Sequence, residues 1–275
     1  MEFTFPSTMV GDIKKLSGRE IAQVAEQVDG AGASDGGFAS ILGGCWVATL
    51  DRGPYPAHVF GAEATPIGKP ARRKGSPHRE QLVEVKGDVP DWSRVLKGDL
   101  VAGLIFLAQI SITDGDDYPF DVPCGSCGKP IQWEVKLSDL PVKVLPEASI
   151  KKIRAGDPFE VLVAGKKVMF DLQTAAAEEP VARLMKQQGR KVGTIVDVLA
   201  AQVRSVEGVG ADLKARWAWL SDLSLGELQD LQYAMAEVDC GVETSLDVEC
   251  GKCGYEQEAN LPLDRRLFAP RRRTR

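Results

Sequence analysis

The chain has 275 residues and a formal net charge of −5, a length that suits one large domain or two ordinary ones. Its apolar fraction of 44% and charged fraction of 27% are typical of folded, soluble proteins, and no apolar stretch approaches the roughly 18 residues of a membrane span. The negative charge argues against nonspecific nucleic-acid binding by the whole molecule.

The chain is predicted to open with a short β-hairpin followed by a helix. Phe3 and Phe5, a turn at Pro6-Ser7 and the apolar segment 9–13 indicate the hairpin. Ser17-Gly18-Arg19-Glu20 fits a capping box, in which a hydroxyl and a carboxylate satisfy the first free amides of a helix.

A proline-rich arm is predicted between residues 51 and 91. It follows a helix marked by Phe38, Ile41, Leu42 and Cys45, which have helical spacing. The arm contains six prolines and a basic run at 69–74, so we expect a loop or an extended arm. An arm of this length is mobile or used for contact, and we favour contact with a partner.

A second hairpin and further helices are predicted after residue 158. Segments 159–163 and 168–172 flank a turn at Ala164-Gly165-Lys166, a pattern typical of a hairpin. Thr174 is expected to cap the helix that follows it. Another helix, capped by Thr194, is predicted from the helical spacing of Ile195, Val198, Leu199, Gln202, Val203 and Val206.

Two more helices are predicted, each upstream of a Cys-x-x-Cys motif. They begin at Gly98-Asp99-Leu100 and Gly226-Glu227-Leu228, which lie 26 and 24 residues before Cys124 and Cys250. Their apolar residues form stripes that we expect to face the core. The stripes consist of Leu100, Leu104, Leu107 and Ala108 in one helix and Leu228, Leu231, Met235 and Val238 in the other.

The two motifs belong to near-copies of one octapeptide. Residues 121–128 and 247–254 are identical at six of eight positions, and alternating strand patterns adjoin both. A Cys-x-x-Cys-Gly turn directs two thiolates toward one point, and tetrahedral zinc is commonly held by four such sulfurs. We therefore predict one structural zinc ion per chain. Its predicted ligands are Cys124, Cys127, Cys250 and Cys253.

Other interpretations of these cysteines are a disulfide, a redox pair, incidental thiols, or turns that have lost metal or bind it separately. Met1 to Gly11 has neither a basic start nor a long apolar run, which indicates a reducing cytosol in which disulfides are disfavoured. A thioredoxin-like pair would open a helix within a βαβ unit. Here strand patterns surround both pairs, which favours the metal.

The remaining candidate residues do not form a catalytic pattern. His58 and His78 lie in the arm, and neither accompanies a nucleophile motif or a phosphate-binding glycine loop. Cys45 and Cys240 stand in apolar surroundings and are expected to be buried. Asp116 and Asp117 are expected to form a turn. We predict that the protein is not an enzyme and has no small-molecule substrate.

Together these elements predict a duplicated α+β fold. Each half, 1–147 and 148–275, runs hairpin, helices, strand, Cys-x-x-Cys-Gly, strand. The two turns would meet about a pseudo-twofold axis in one zinc-ribbon-like site. The metal would then join residues separated by 122 intervening positions.

Several segments in a fixed order resemble baseplate hub assembly proteins of contractile-tailed bacteriophages, the T-even-type baseplate family. The first half contributes the patterns at 16–20 and 98–100. The chain departs from the common family pattern in its long arm and in having Gly125 and Gly251 where proline is frequent. The segments of the second half are 203–209, 219–220, 223–224, 239–242, 248–254, 261–262 and 267–270.

The resemblance implies a non-enzymatic structural part or assembly chaperone of the tail hub. It implies zinc-ribbon-like cysteine pairs, here the four cysteines named above, and other tail or hub proteins as partners. The expected location is the host cytoplasm during assembly, or the virion baseplate.

The arginines at the end of the chain would be a solvated tail or would dock on an acidic partner or phosphate. They are Arg265, Arg266, Arg271, Arg272, Arg273 and Arg275.

Two functions of other classes compete with this one. A zinc-ribbon nucleic-acid binder needs a basic, aromatic face, whereas acidic residues such as Asp121, Asp247 and Glu249 surround the cysteines. A metal-dependent hydrolase could use Asp116 and Asp117, but no histidine accompanies them. Neither membrane binding nor specific nucleic-acid binding is expected.

Overall fold

A computed structural model describes residues 1–17, 35–66, 83–112, 115–190, 193–263 and 265–268. Within these ranges the fold is mixed α+β, as predicted, with small antiparallel sheets. The helices are α1 (Asp35–Cys45), α2 (Lys97–Ser111), α3 (Glu147–Ala155), α4 (Ala175–Gln187), α5 (Ile195–Gln202), α6 (Leu213–Ser221) and α7 (Leu225–Val238). Most of the predicted capping box at 17–20, His78 and the arginines at 271–275 lie outside the described residues.

Fourteen strands accompany these helices within the described ranges. Those up to residue 147 are β1 (Glu2–Thr4), β2 (Val10–Ile13), β3 (Trp46–Asp51), β4 (Phe60–Pro66), β5 (Val83–Pro90), β6 (Asp117–Pro123), β7 (Pro130–Lys136) and β8 (Val142–Lys143). The later ones are β9 (Phe159–Val163), β10 (Lys166–Phe170), β11 (Val203–Val206), β12 (Gly241–Val242), β13 (Ser245–Glu249) and β14 (Glu256–Asn260).

The N-terminal sheet has the order β1-β2-β3 and confirms the predicted first hairpin. Helix α1 forms as predicted, and the chain continues from it directly into β3. Trp46 begins β3 and is fully buried, and its indole fills the space beside Gly11, where a Cβ would lie 1.9 Å from the ring. Gly11 therefore allows the indole to pack against β2.

The sheet β11-β10-β9 repeats this arrangement in the second part of the chain. Its predicted hairpin is confirmed, and Ala164 and Gly165 both have positive φ, at 50° and 70°, as a tight hairpin turn of this kind requires. The Thr174 and Thr194 hydroxyls accept hydrogen bonds from backbone N–H groups at the starts of α4 and α5. Both predicted caps are thus confirmed.

The predicted extension of α5 through Val203 and Val206 is wrong. The helix ends at Gln202, and residues 203–206 form β11 on the free edge of β10. A register shift between Met169 and Phe170 brings both valines to the buried side of this strand. Burial three residues apart imitates helical spacing, but here a β-bulge produces it.

Of the two forms predicted for the arm, a loop or an extended arm, the described residues at its ends have the extended one. Strands β4 and β5 pair with each other over Phe60–Pro66 and Val83–Pro90, and a 3₁₀ turn at Ala57–Val59 precedes them. Tyr55, Val59 and Val89 are buried in the main core. The alternating apolar residues of the strands and the buried residues at the base of the arm therefore stabilise strand pairing despite the prolines. Residues 67–82 lie outside the described ranges.

The two helices that precede the cysteine motifs form as predicted. Helix α2 starts at Lys97 and α7 at Leu225, where Ser224 and Glu227 form a capping box. Their stripes are buried except for Val238, which is half-buried. Both helices contribute to one continuous hydrophobic core that extends from Phe5 to Phe268.

Several contacts join the first part of this core to the second. Strand β8 pairs with β12, and Leu96 forms an isolated bridge with Thr174. The Lys97 ammonium forms an ion pair with Glu178 at 2.8 Å. The described helices include none with the length and apolar character needed to cross a bilayer.

Candidate metal centre

Two β-hairpins hold the four predicted cysteines. In β6–β7 the last pair before the turn is Pro123 with Pro130, and in β13–β14 it is Glu249 with Glu256. Each turn therefore contains six residues and begins with a cysteine. The apolar faces of the hairpins meet in a small separate core of Cys124, Ile131, Val248, Cys250 and Ala259.

The two turns share the same backbone hydrogen bonds. The Cys124 N–H donates to the Lys129 carbonyl at 2.8 Å, and the Gly128 N–H donates to the Cys124 carbonyl at 2.9 Å. In the second turn the corresponding distances are 2.9 Å from Cys250 to Tyr255 and 2.8 Å from Gly254 to Cys250. Gly128 and Gly254 have φ of 69° and 70°, a left-handed conformation that glycine adopts without a steric penalty.

The four sulfur atoms lie within 4.8 Å of one another. The Cys124–Cys253 sulfur distance is 3.7 Å, and the Cys127–Cys250 distance is 3.8 Å. A tetrahedral ion with metal–sulfur bonds of about 2.3 Å requires sulfur separations of about 3.8 Å, whereas a disulfide requires about 2.05 Å. All four cysteines are free thiols, and their geometry matches a tetrahedral metal centre.

Backbone N–H groups prepare two of these sulfurs to bind a cation. The N–H of Lys252 and then that of Cys253 lower the pKa of Cys250 to about 6. The Cys127 N–H lowers the pKa of Cys124. The Tyr255 N–H lowers the pKa of Cys253, but burial and the neighbouring thiols together outweigh it and raise that pKa to about 11. Since thiolates are the metal-binding form, a shared cation would favour ionisation of the whole cluster.

A side chain of the second hairpin also fixes the first turn. Gln257 accepts a hydrogen bond from the Gly125 N–H at 2.7 Å and donates one to the Pro123 carbonyl at 3.1 Å. Its counterpart in the first hairpin is the buried Ile131. The two turns are therefore alike in their backbone and cysteine sulfurs but differ in the side chains that support them.

The other candidate residues lie outside this cluster. Cys45 is fully buried and Cys240 is 8% exposed, which confirms their prediction as buried residues. His58 is exposed in the 3₁₀ turn before β4. Asp116 precedes β6 and accepts hydrogen bonds from Ser138 and Gln109. The predicted turn is therefore confirmed for Asp116, whereas Asp117, which was expected in the same turn, is the first residue of β6 and pairs with Lys136.

The sequence marked Asp99 only as part of the helix start at 98–100 and did not reveal that its carboxylate is buried and accepts three hydrogen bonds. Asp99, in the first turn of α2, is 0% exposed. It accepts hydrogen bonds from the Ser7 N–H at 2.9 Å, from the Ser7 hydroxyl and from the Tyr55 hydroxyl at 2.7 Å. Burial raises its pKa to about 6, although the same hydrogen bonds lower it. The three residues join the first hairpin, the base of the arm and α2.

The fold and site define a mixed α+β protein built around a candidate four-cysteine metal centre. A comparison with models of protein families matches residues 100–263 to the T4 bacteriophage base plate protein family. Because this match covers more than half of the chain, the chain belongs to that family. The family predicted from the sequence is thus confirmed, and the matched region contains all four cysteines. Comparisons with curated proteins and with solved structures found no match.

Proposed function

We propose that this chain is a hub component, or a hub assembly chaperone, of a contractile phage tail. It acts by binding other tail proteins and catalyses no reaction. Membership of the base plate family is the observation that carries the proposal. Family members are parts of a large protein assembly, so the expected partners are other baseplate proteins.

We further propose that Cys124, Cys127, Cys250 and Cys253 bind one zinc ion. The sulfur separations of 3.7 and 3.8 Å support a tetrahedral ion, and a complete set of four thiolates is typical of structural rather than catalytic zinc. When bound, zinc would supply a rigid cross-link between the hairpins. A rigid cross-link suits a protein whose surface must fit several neighbours.

The proposed zinc would join two halves, 1–147 and 148–275, that arose by duplication. Three corresponding features support this proposal. A hairpin, β1–β2 or β9–β10, is followed by a helix that runs directly into a third strand beside the second. Helix α2 comes later in the first half, after β4 and β5, and α7 comes later in the second, after α6; a cysteine-bearing hairpin follows each of these two helices. An experimental structure in which no twofold rotation through the metal relates these hairpins would refute the duplication.

The outer faces of the cysteine-bearing hairpins favour protein partners over nucleic acid. Asp247 pairs across the hairpin with Glu258, and Glu249 pairs with Glu256. All four carboxylates are exposed, as are Asp121 and Glu134 on the first hairpin. Such faces would repel phosphates. Tight binding of DNA or RNA at low salt in a filter assay would instead support the nucleic-acid alternative.

Reconstitution with the hub and tail-tube proteins of the same phage tests the function. We expect native mass spectrometry to show a stable complex that contains this chain with one zinc ion, and to show a weaker complex after chelation. Lys252→Ala, which changes a turn residue that is not a predicted ligand, should behave as the wild type does. Failure to bind any hub or tail-tube protein would refute the proposal.

A further inference from the structure

A cavity of about 350 Å³ opens between α5 and α7. This volume lies in the range of sites that enclose a small molecule or a large side chain. Four apolar residues form one wall of the cavity. Three side-chain amides add polar atoms, and one of these amides is more buried than the other two. The apolar residues are Ile195, Val198, Leu199 and Met235, the amides are Gln173, Gln232 and Gln202, and Ala236 and Asp239 complete the lining.

Gln202 is the most buried of the polar residues in this lining, at 7% exposed. Its backbone carbonyl accepts a hydrogen bond from the Asp171 N–H, and its side-chain amide borders the open space of the cavity. Because the amide borders the cavity, a group bound there could form hydrogen bonds with it.

Asp239 places a carboxylate in the same cavity, directly after the last residue of α7. The negative end of a helix dipole disfavours an anion and favours a cation at this position. One carboxylate oxygen accepts the Cys240 N–H at 2.8 Å, and among the described residues Asp239 forms no ion pair. Lys143 is the nearby cation, but its ammonium donates to the carbonyls of Ala236 and Glu237.

The charge around Asp239 is therefore negative overall. Asp239 lies close enough to Asp99 for its charge to raise the pKa of Asp99, and Lys143 is the positive charge that acts on Asp239. Burial raises the pKa of Asp239 to about 6, so the carboxylate is mostly ionised at neutral pH. A cation that entered the cavity would meet an incompletely compensated anion.

We propose that this cavity is a receptor for a positively charged side chain, best an arginine, of a partner protein. The apolar wall suits the methylene groups of arginine, and the planar guanidinium has five donors for the Asp239 carboxylate and the Gln202 carbonyl oxygen. The identification of the partner as a protein rests on the proposed baseplate function. The chemistry of the cavity itself does not depend on that function.

The cavity can be tested with n-butylguanidinium, which reproduces the end of an arginine side chain, and with the neutral isostere n-butylurea. Titration of the full chain, followed by amide NMR shifts, should show saturable shifts of residues in α5 and α7 with the cation. The Kd of the urea should be about tenfold higher or more, because hydrogen bonds to charged groups are the stronger ones. Equal binding of both probes, or no saturable shift, would overturn the proposal.

Asp239→Asn should raise the Kd for n-butylguanidinium by about tenfold. Asp230→Asn is the matched control, since Asp230 is an exposed carboxylate on α7 that does not line the cavity. Gln202→Leu offers a second variant if Asp239→Asn folds poorly, and it should also weaken binding. Unchanged affinity in both cavity variants would refute the site.

Hub reconstitution then separates this inference from the proposed function. If the cavity binds a partner's arginine, Asp239→Asn should weaken the hub complex at least as much as it weakens probe binding, whereas Asp230→Asn should not. A hub complex that is indifferent to Asp239→Asn would overturn the receptor role while leaving the baseplate function intact. Probe binding without any hub complex would instead refute that function, and with it the protein partner.

Discussion

Gly98, in the first turn of α2, lies directly against the backbone of Cys240. A Cβ on Gly98 would stand 2.1 Å from the Cys240 carbonyl oxygen and 2.8 Å from the Cα of Gly241. Helix α2 belongs to the first part of the chain, and the Cys240 segment connects α7 to β12. The absence of a side chain at position 98 therefore permits α2 to lie directly against the Cys240 segment.

Gly98→Ala should destabilise the protein by about 1–3 kcal/mol, because the added methyl group meets backbone that cannot rotate away. Gly226→Ala is the matched control, since Gly226 occupies the corresponding turn of α7 and a Cβ added there would have no neighbour within 4 Å. There the higher helix propensity of alanine should leave stability unchanged or raise it by up to about 1 kcal/mol. Urea unfolding measures both, and equal effects would contradict the packing argument.

Metal removal should lower the thermal stability of the whole chain. A structural zinc contributes its binding free energy to folding, so chelation should lower Tm by roughly 10 °C or more for a chain of this size. Cys253→Ser should reproduce this loss without chelator, whereas Ser126→Ala, at a turn position that is not a predicted ligand, should not. Differential scanning calorimetry and native mass spectrometry provide the measurements. Two metal ions per chain, or none, would contradict the shared site.

Substitution of the turn glycines that have positive φ should reduce stability more than substitution of the neighbouring glycines. Gly254 has a φ of 70°, so Gly254→Ala forces a Cβ into a conformation that costs about 1–2 kcal/mol. Gly251→Ala is the control, because nothing lies within 4 Å of that position and its φ is not positive. We expect lower stability and weaker zinc retention in a chelator competition assay for Gly254→Ala alone. Equal retention by the two variants would contradict this explanation.

Local patterns accounted for much of the fold and identified the four cysteines that the structure brings together. Thr174 and Thr194 could be recognised as caps, and the hairpin around Ala164-Gly165 by its alternation and turn, since each depends on neighbours in sequence. The four cysteines could be grouped because each Cys-x-x-Cys turn fixes two sulfurs locally. Only the meeting of the two turns required the tertiary fold.

The features that could not be predicted depend on residues distant in sequence. Val203 and Val206 resembled a helix face because Arg204 is an extra residue in the pairing of β11 with β10, a strand more than thirty residues earlier. Asp99 meets Ser7, 92 positions away, and Tyr55, 44 positions away. The cavity at Gln202 and Asp239 is equally a product of how α5 and α7 pack. No spacing rule connects such positions.

The buried Asp99 should make stability depend on pH. Its pKa is about 6 in the folded chain, against an ordinary value of 3.8, and burial is the main cause. The folded state therefore holds a proton that the unfolded state loses at lower pH. The resulting stabilisation is complete below about pH 3.8 and is lost as pH rises through about 6. Asp239, whose pKa is also raised to about 6 by burial, acts in the same direction.

Asp99→Asn should remove the Asp99 contribution, because an amide keeps the shape and hydrogen-bonding capacity of the protonated acid but does not titrate. Between about pH 4.5 and about pH 7.5, the wild type should lose about 2 kcal/mol more of its free energy of unfolding than the variant does. Asp116→Asn is the control of opposite sign. Burial raises the pKa of Asp116, but hydrogen bonds from Ser138 and Gln109 lower it by more, so its pKa in the folded chain is below 3.8. The stability that Asp116 contributes is therefore lost as pH falls. Urea unfolding at several pH values measures these differences, and parallel pH profiles for wild type and Asp99→Asn would show that Asp99 does not titrate as its burial requires.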